Sequence, residues 1–415
     1  MNGHMREFDY IIVGGGLAAA SAVDGIREVD VDGSIALLSD ESDPPYHRPP
    51  LSKEYLQTAE APRDLLFVKP AGWFDDQPGL EFFAGTRVDR LDARQLVVTT
   101  ESGVSFHGSR ILLATGGRAR SLAIPGAGLA GVHTLRTAAD AERIRAEARR
   151  AERVALVGAG FIGMELASTL KKMEVDSVVL DVTNRVWAGV LPEAVSGFIQ
   201  RYFEDRGIRF LLGSPVSALE GAGRVARVVL EDGDEIGADM VVIGVGLQPN
   251  DQLAAEAGLA VRDGIIVDSH CETTAGHIYA AGDVARFPDS VLGELVRTEH
   301  WDHARAHGRT AGRNMAGERE PYDHVSYFFS HVFDLSLSVL GRTAEAEQTI
   351  VAGELGSGRS VVYCATEGRL SGTLLINAND AMDACRDLVR ERPLIDDLVE
   401  RLGDEVGSAL LTERT

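Results

Sequence analysis

Two glycine-rich stretches carry the residues whose types and spacing suit dinucleotide chemistry. Gly14-x-Gly16-x-x-Ala19 follows the strand-like stretch 9–13, and Gly158-x-Gly160-x-x-Gly163 follows the strand-like stretch 153–157. In such a turn the first glycine permits a tight bend and the second lets backbone approach a pyrophosphate. A small third residue lets helix and strand pack closely. The N-terminus of the helix that follows offers free N–H groups to the phosphates. Each unit then enters a second apolar strand with an acid at its end: 34–38 before Asp40 and Glu41, and 177–180 before Asp181. An acid there accepts ribose hydroxyls. At Asp181 it bonds a free 2′-hydroxyl and repels a 2′-phosphate, which favours NADH over NADPH. Arg185 is close enough in sequence to soften that preference. One such motif is a weak signal, but its recurrence in one chain is a strong one. The economical reading is a flavin dinucleotide on the first motif and a nicotinamide dinucleotide on the second, with Phe161 and Ile162 inside the second fingerprint.

The elements that must position these residues follow from local pattern. Unbroken β-branched and aromatic runs read as buried strands at 9–13, 153–157 and 240–243. Helices are expected over 164–173 and 198–206, with a charged one ending at Arg150. The stretch Pro44-Pro45-Tyr46-His47-Arg48-Pro49-Pro50-Leu51-Ser52-Lys53 is rigid and extended or turn-like, because proline fixes φ and restricts the residue before it. Its Arg48 and Lys53 suit either a cofactor contact or an exposed surface loop. Short strands are expected at 81–83, 86–88, 95–99 and 110–114, the last ending in the tight passage Thr115-Gly116-Gly117. Gly244-Val245-Gly246 closes the strand 240–243, and Ala281-Gly282-Asp283 closes another. A helix opens near Trp301 and runs through Met315. Aromatic strands after Pro321 begin a smaller α+β domain.

Composition removes several classes of function. The 415 residues, 45% hydrophobic and 25% charged, suffice for two or three globular domains. A net charge of −22 disfavours nucleic acid or an anionic membrane as partner. The run Arg143, Arg145, Arg149, Arg150 and Arg153 reads as a solvated helix face with interspersed acids. No apolar run is long enough to span a bilayer and no signal peptide is visible, so the cytoplasm is the expected compartment. Cys271, Cys364 and Cys385 form no C-x-x-C pair, leave no metal ligand set, and read as structural thiols. Disulfide reduction, which needs a reactive cysteine beside the flavin, is therefore disfavoured.

The motifs taken in order resemble the ferredoxin-reductase class of flavoproteins. They are Gly14-x-Gly16, Arg48-Pro49-Pro50-Leu51-Ser52-Lys53, Ala114-Thr115-Gly116-Gly117, Gly158-x-Gly160-x-x-Gly163-Met164-Glu165, Gly246-x-x-Pro249-Asn250 and Tyr279-Ala280-Ala281-Gly282-Asp283. The class includes putidaredoxin reductase, the reductase components of aromatic-ring dioxygenases, rubredoxin reductase and the apoptosis-inducing-factor group. The resemblance implies an α/β chain with two Rossmann-like dinucleotide-binding domains and a C-terminal α+β domain, the glutathione-reductase-like architecture. The implied pieces are 1–117 and 247–320 for FAD, 118–246 for NAD, and 321–415 for the C-terminal domain.

Site by site, the resemblance implies that Gly14 and Gly16 hold the FAD pyrophosphate and Asp40, or failing it Glu41, the ribose. It puts Arg48, Lys53 and Arg136 on the flavin and phosphates, Val88 at the adenine, Asp283 on the ribityl chain or phosphate, and Trp301 beside the isoalloxazine. Lys53 and Glu165 would form an ion pair near the reacting flavin atom. The implied activity is an NADH-dependent reductase of a small iron–sulfur protein of ferredoxin or rubredoxin type, as a monomer or homodimer. An NADH oxidase, or a redox-switched interaction protein, is the alternative. One departure bears on the acceptor side. The aromatic-Trp-Ser-Asp-Gln segment of family members reads Phe328-Phe329-Ser330-His331-Val332 here, with Phe329 in the tryptophan place.

Overall fold

The structure, a computed structural model, describes residues 5–58, 60–356 and 358–403, and the strand Val406–Leu411 by its backbone. Two strand–helix–strand units dominate it. The first is β1 (Arg6–Val13), α1 (Leu17–Val29) and β2 (Ile35–Leu38); the second is β3 (Val154–Val157), α2 (Phe161–Lys172) and β4 (Ser177–Asp181). Later in the chain come helix α3 (Trp301–Met315) and strand β5 (Tyr327–Val332). The chain divides into two compact units: residues 1–47, 62–118 and 247–326, and residues 48–61, 119–246 and 327–415. The expected FAD pieces fall in the first unit except for 48–61. The expected NAD and C-terminal pieces fall in the second except for 118 and 321–326.

The first unit is built on a seven-stranded sheet. β1 lies between β2 and Ser105–Leu113, parallel to both, and Ile278–Ala280 pairs with the latter strand. Antiparallel Val97–Thr100 and Val88–Asp92 extend the sheet beyond Ser105–Leu113. Ile11, Ile12, Ile111 and Leu112 are fully buried, as expected where helices cover a parallel sheet. β1 starts three residues before the expected strand, because Arg6 pairs with Phe106 and its guanidinium lies 4.7 Å from the Phe83 ring centroid. The expected strand 86–88 is instead Val88–Asp92, and the expected 110–114 is the longer Ser105–Leu113.

The second unit holds a parallel five-stranded sheet in the order Arg209–Leu212, β4, β3, Met240–Ile243, Val132–Thr134. α2 begins at Phe161, directly after the fingerprint, and the later helix begins at Glu193 after Pro192. Residues 327–411 add a six-stranded antiparallel sheet with β5 at its edge. Among the described residues no helix is long and apolar enough to cross a membrane.

Candidate functional site

In the first unit the chain turns from β1 into α1 through Gly14, whose φ is +128°. A Cβ there would stand 2.1 Å from the Ala114 carbonyl oxygen, so only glycine fits. The Gly14 N–H donates to Leu38 O at 2.8 Å, which locks the turn onto β2. Gly16 is the N-cap of α1. No side chain caps the helix, no acid lies in its first turn, and a Cβ on Gly16 would meet nothing within 4 Å. Uncapped N–H groups beside open space are what a pyrophosphate requires. Ala19 is fully buried.

Other expected residues gather at the same end of the sheet. Thr115 Oγ1 donates to Asn250 O at 2.8 Å, and the Asn250 N–H donates to Gly116 O at 2.9 Å. Gly282, with φ +76°, lies over the start of α1, where a Cβ would come within 2.8 Å of the Ala18 Cβ. Its N–H donates to His307 Nδ1 at 3.3 Å. Asp283 follows in a short turn, half-buried, and its carbonyl accepts from Arg297 at 3.2 Å. Val88 is half-buried at the start of its strand. Trp301 heads α3 and donates its indole N–H to His47 Nδ1 at 3.0 Å.

The residue at the end of the second strand differs between the two units. Gly14 bonds Leu38 O and Gly158 bonds Leu180 O, which puts Ser39, not Asp40, at the place of Asp181. Asp40 is exposed one residue further on. Ser39 is fully buried, and a Cβ on Gly15 would stand 2.1 Å from its Oγ. Glu41 is half-buried and accepts the Tyr46 hydroxyl at 2.5 Å. The loops differ in length, so counting residues from the glycines could not reveal this.

The second unit repeats the turn. Gly158 has φ +115°, and a Cβ there would stand 2.4 Å from Gly244 O. Gly160 caps α2 without a side-chain bond, and the nearest atom to its added Cβ is 3.9 Å away. Gly163 packs so tightly that a Cβ would reach 1.8 Å from Gly158 O. Asp181 is held at three points: Oδ2 accepts the Ala159 N–H at 2.5 Å, and Oδ1 accepts the Thr183 N–H and hydroxyl at 2.7 Å each. Arg185, placed near the ribose site by sequence, donates instead to the carbonyls of Leu191 and Ala188. Phe161 lies against Phe328 with the rings tilted by 33° and centroids 3.6 Å apart, Ile162 is half-buried, and exposed Gly246 accepts the Arg120 N–H at 3.0 Å.

Deep in this unit Lys53 Nζ meets Glu165 Oε1 at 2.6 Å, with 11% and 6% of the side chains exposed. Ser330 donates to the same carboxylate oxygen at 2.7 Å and Ser52 donates to the other. Lys53 also donates to Pro49 O at 3.2 Å. A buried pair stands only when such bonds compensate the loss of water. Ser52 and Ser330 were missed in the sequence because a serine beside a motif carries no signal of its own. The surface-loop alternative for Lys53 does not hold. Arg48 donates to Arg136 O at 2.7 Å, joining two residues expected at the cofactor. β5 alternates: Phe328 and Ser330 face α2, while Tyr327, Phe329 and His331 share the other face, with successive centroids 6.0 and 5.8 Å apart. Desolvation, then the Lys53 charge, lowers the His331 pKa.

All three cysteines are buried and free, and burial raises their thiol pKa values, that of Cys364 to about 12. None has the low pKa of a reactive thiol. Among the described residues no cluster of His, Cys, Asp and Glu is arranged to hold a metal ion.

Comparison with known proteins places this geometry among relatives. Residues 8–308 match the family described as pyridine nucleotide-disulphide oxidoreductase, and residues 327–405 match the family described as reductase C-terminal. The chain is 36% identical over 386 residues to rhodocoxin reductase of Rhodococcus erythropolis, covering 92% of this chain and 90% of that one. It is similar in structure to the ferredoxin reductase for the CYP199A2 system of Rhodopseudomonas palustris, with a TM-score of 0.89, 33% identity, and 93% and 96% of the two chains covered. The reductase in a covalent putidaredoxin reductase–putidaredoxin complex gives a TM-score of 0.88 at 30% identity, covering 93% of each chain.

Proposed function

Because the chain belongs to the pyridine nucleotide-disulphide oxidoreductase family, whose members use FAD and NAD(P), we infer that it is an FAD flavoprotein that takes hydride from NADH and passes electrons singly to a small iron–sulfur protein. The observation that carries this reading is the duplicated glycine cradle, uncapped and open in both units, in a chain without a reactive thiol. FAD supplies the change from two-electron to one-electron chemistry when bound. The ferredoxin type of partner is carried over from the named relatives.

The protein's part is binding, orientation and charge. In the first unit Gly14, Gly16 and the N-terminus of α1 receive the pyrophosphate, with Ala19 packed beneath. Thr115, Gly116, Gly282 and Asp283 border it, and Val88 with Asp40, or failing it Glu41, serves the adenosine end. In the second unit Gly158, Gly160, Phe161, Ile162 and Gly163 receive the nicotinamide dinucleotide, with Gly246 at the neighbouring turn. Asp181 supports NADH: its carboxylate is fixed in place, and Arg185 is tied to backbone carbonyls rather than turned to a 2′-phosphate. Lys53 and Glu165 keep a compensated charge pair ready to answer a change of charge on the cofactor, and Arg48 and Arg136 add positive charge. Phe329 lies on the face of β5 turned away from Glu165 and is assigned to the electron-acceptor side.

Anaerobic stopped-flow reduction of the FAD-loaded protein tests the reading. Rapid bleaching by NADH, slower bleaching by NADPH and fast reoxidation by a [2Fe–2S] protein are expected. Slow bleaching with a persistent long-wavelength band and no response to any iron–sulfur protein would reject it in favour of a redox-switched interaction protein.

A further inference from the structure

Trp301 and His47 lie 254 positions apart, and only the fold brings them together. The indole N–H donates to His47 Nδ1 at 3.0 Å, with the rings tilted by 45° and centroids 5.7 Å apart. An indole nitrogen can only donate, so the imidazole must present a bare Nδ1 and carry its proton on Nε2. His47 is itself anchored. Its N–H donates to Leu66 O at 2.8 Å, and the Val68 N–H donates to Pro45 O at 2.9 Å in the same short antiparallel pairing. The Arg305 guanidinium lies 5.3 Å from the Trp301 ring centroid.

We propose that His47 is a positioning residue for Trp301: its neutral imidazole fixes the indole that flanks the flavin, and protonation of His47 releases it. This rests on the reading of Trp301 as a flavin contact. An imidazolium would set two N–H donors against each other. Burial lowers the His47 pKa from its ordinary 6.5, so the acceptor form holds at neutral pH and is lost as pH falls through the lowered value. Charged groups on the elements around the pair have partners of their own. Arg305 meets Asp302 at 3.4 Å, Asp302 meets His324 at 2.6 Å, Arg63 meets Asp43 at 2.6 Å, and Glu41 accepts from Tyr46. Just before α3 in the chain, Arg297 meets Glu299 at 2.7 Å.

The test uses the full FAD-loaded chain with 15N-labelled indoles. The sequence holds three tryptophans, and Trp301→Phe identifies the signal of interest. In the wild type that signal should sit at a hydrogen-bonded position at pH 8 and move to an unbonded one on acidification. His47→Leu should hold it at the unbonded position at every pH. His47→Asn, which offers an oxygen in place of Nδ1, should hold it at the bonded position without titration. In the same samples the visible flavin band should shift in His47→Leu and return in His47→Asn. An unchanged Trp301 signal in His47→Leu, or a titration that persists there, overturns the proposal. If His47→Leu does not fold, the titrating wild type against a flat His47→Asn decides the same point. An indole signal that moves while the flavin band stays fixed overturns the flavin contact of Trp301 and leaves the hydrogen bond standing.

Discussion

In the first nucleotide unit the third position of the glycine motif is Ala19, wholly buried; in the second it is Gly163, where a methyl group would stand 1.8 Å from a backbone oxygen. The two turns otherwise match. Both first glycines have positive φ, and their N–H groups donate to carbonyls of the second strand, Leu38 O in one unit and Leu180 O in the other. Both helices start uncapped after an extended glycine. The next residue separates them again, Ser39 under Gly15 in one and Asp181 bonded to the Ala159 N–H in the other. The backbone cradle is the same in both units, and the residues just outside it set how closely the helix lies; in the proposed function they would also set which hydroxyls are recognised. Only the second unit builds a compensated ion pair one turn into its helix, at Glu165.

Acid should separate the two units most strongly. His303 and His307 are wholly buried in the first unit, and burial holds His307 at about 3 against an ordinary 6.5. A lowered folded-state pKa gives stability that is whole above pH 6.5 and lost as pH falls below it. For His307 the loss reaches on the order of 5 kcal/mol by pH 3, each pH step costing about 1.4 kcal/mol. Single-tryptophan variants should report unfolding at Trp73 at a higher pH than at Trp187, and coincident transitions would contradict this. Glu165→Gln leaves Lys53 charged in a nearly closed site, and we expect a loss of about 3–5 kcal/mol in urea unfolding. A much smaller loss would mean that water reaches the pair.

Gly163→Ala should cost about 1–3 kcal/mol by overpacking and raise KM for NADH. Ala19→Gly should cost only about 1 kcal/mol, through helix propensity. Equal effects in thermal unfolding would erase the contrast at the third position. Asp181→Ala should narrow the preference for NADH over NADPH by roughly tenfold, about 1.4 kcal/mol, in kcat/KM with each cofactor. Ser39→Ala removes two neutral hydrogen bonds, from its hydroxyl to Glu41 O and from the Glu41 N–H to its oxygen, both at 3.2 Å, and should cost about 1–2 kcal/mol without altering that preference.

Much of this was legible because glycine motifs are local. Gly14, Gly16, Gly158 and Gly160 were found by spacing, and the structure puts each at the turn or cap expected of it. The pairing of Lys53 with Glu165 was reachable through resemblance and is present at 2.6 Å. Three things were not legible. In the first unit Ser39 holds the place that Asp181 holds in the second, with Asp40 one residue further on, and only the register reveals it. Arg185 is close enough to Asp181 in sequence to soften the preference for NADH, but its guanidinium bonds the carbonyls of Leu191 and Ala188. Ser52 and Ser330 flank motif residues and gain meaning only once Glu165 lies between them.

By itself the sequence determined the two cradles, since a positive φ and a close backbone approach admit little but glycine. It also determined the buried strands that feed them, since unbroken apolar runs must leave water. The tertiary structure alone decided which polar side chains share a site. A hydrogen bond such as Trp301 to His47 joins residues 254 positions apart, and its geometry depends on ångström-scale placement that no local pattern encodes.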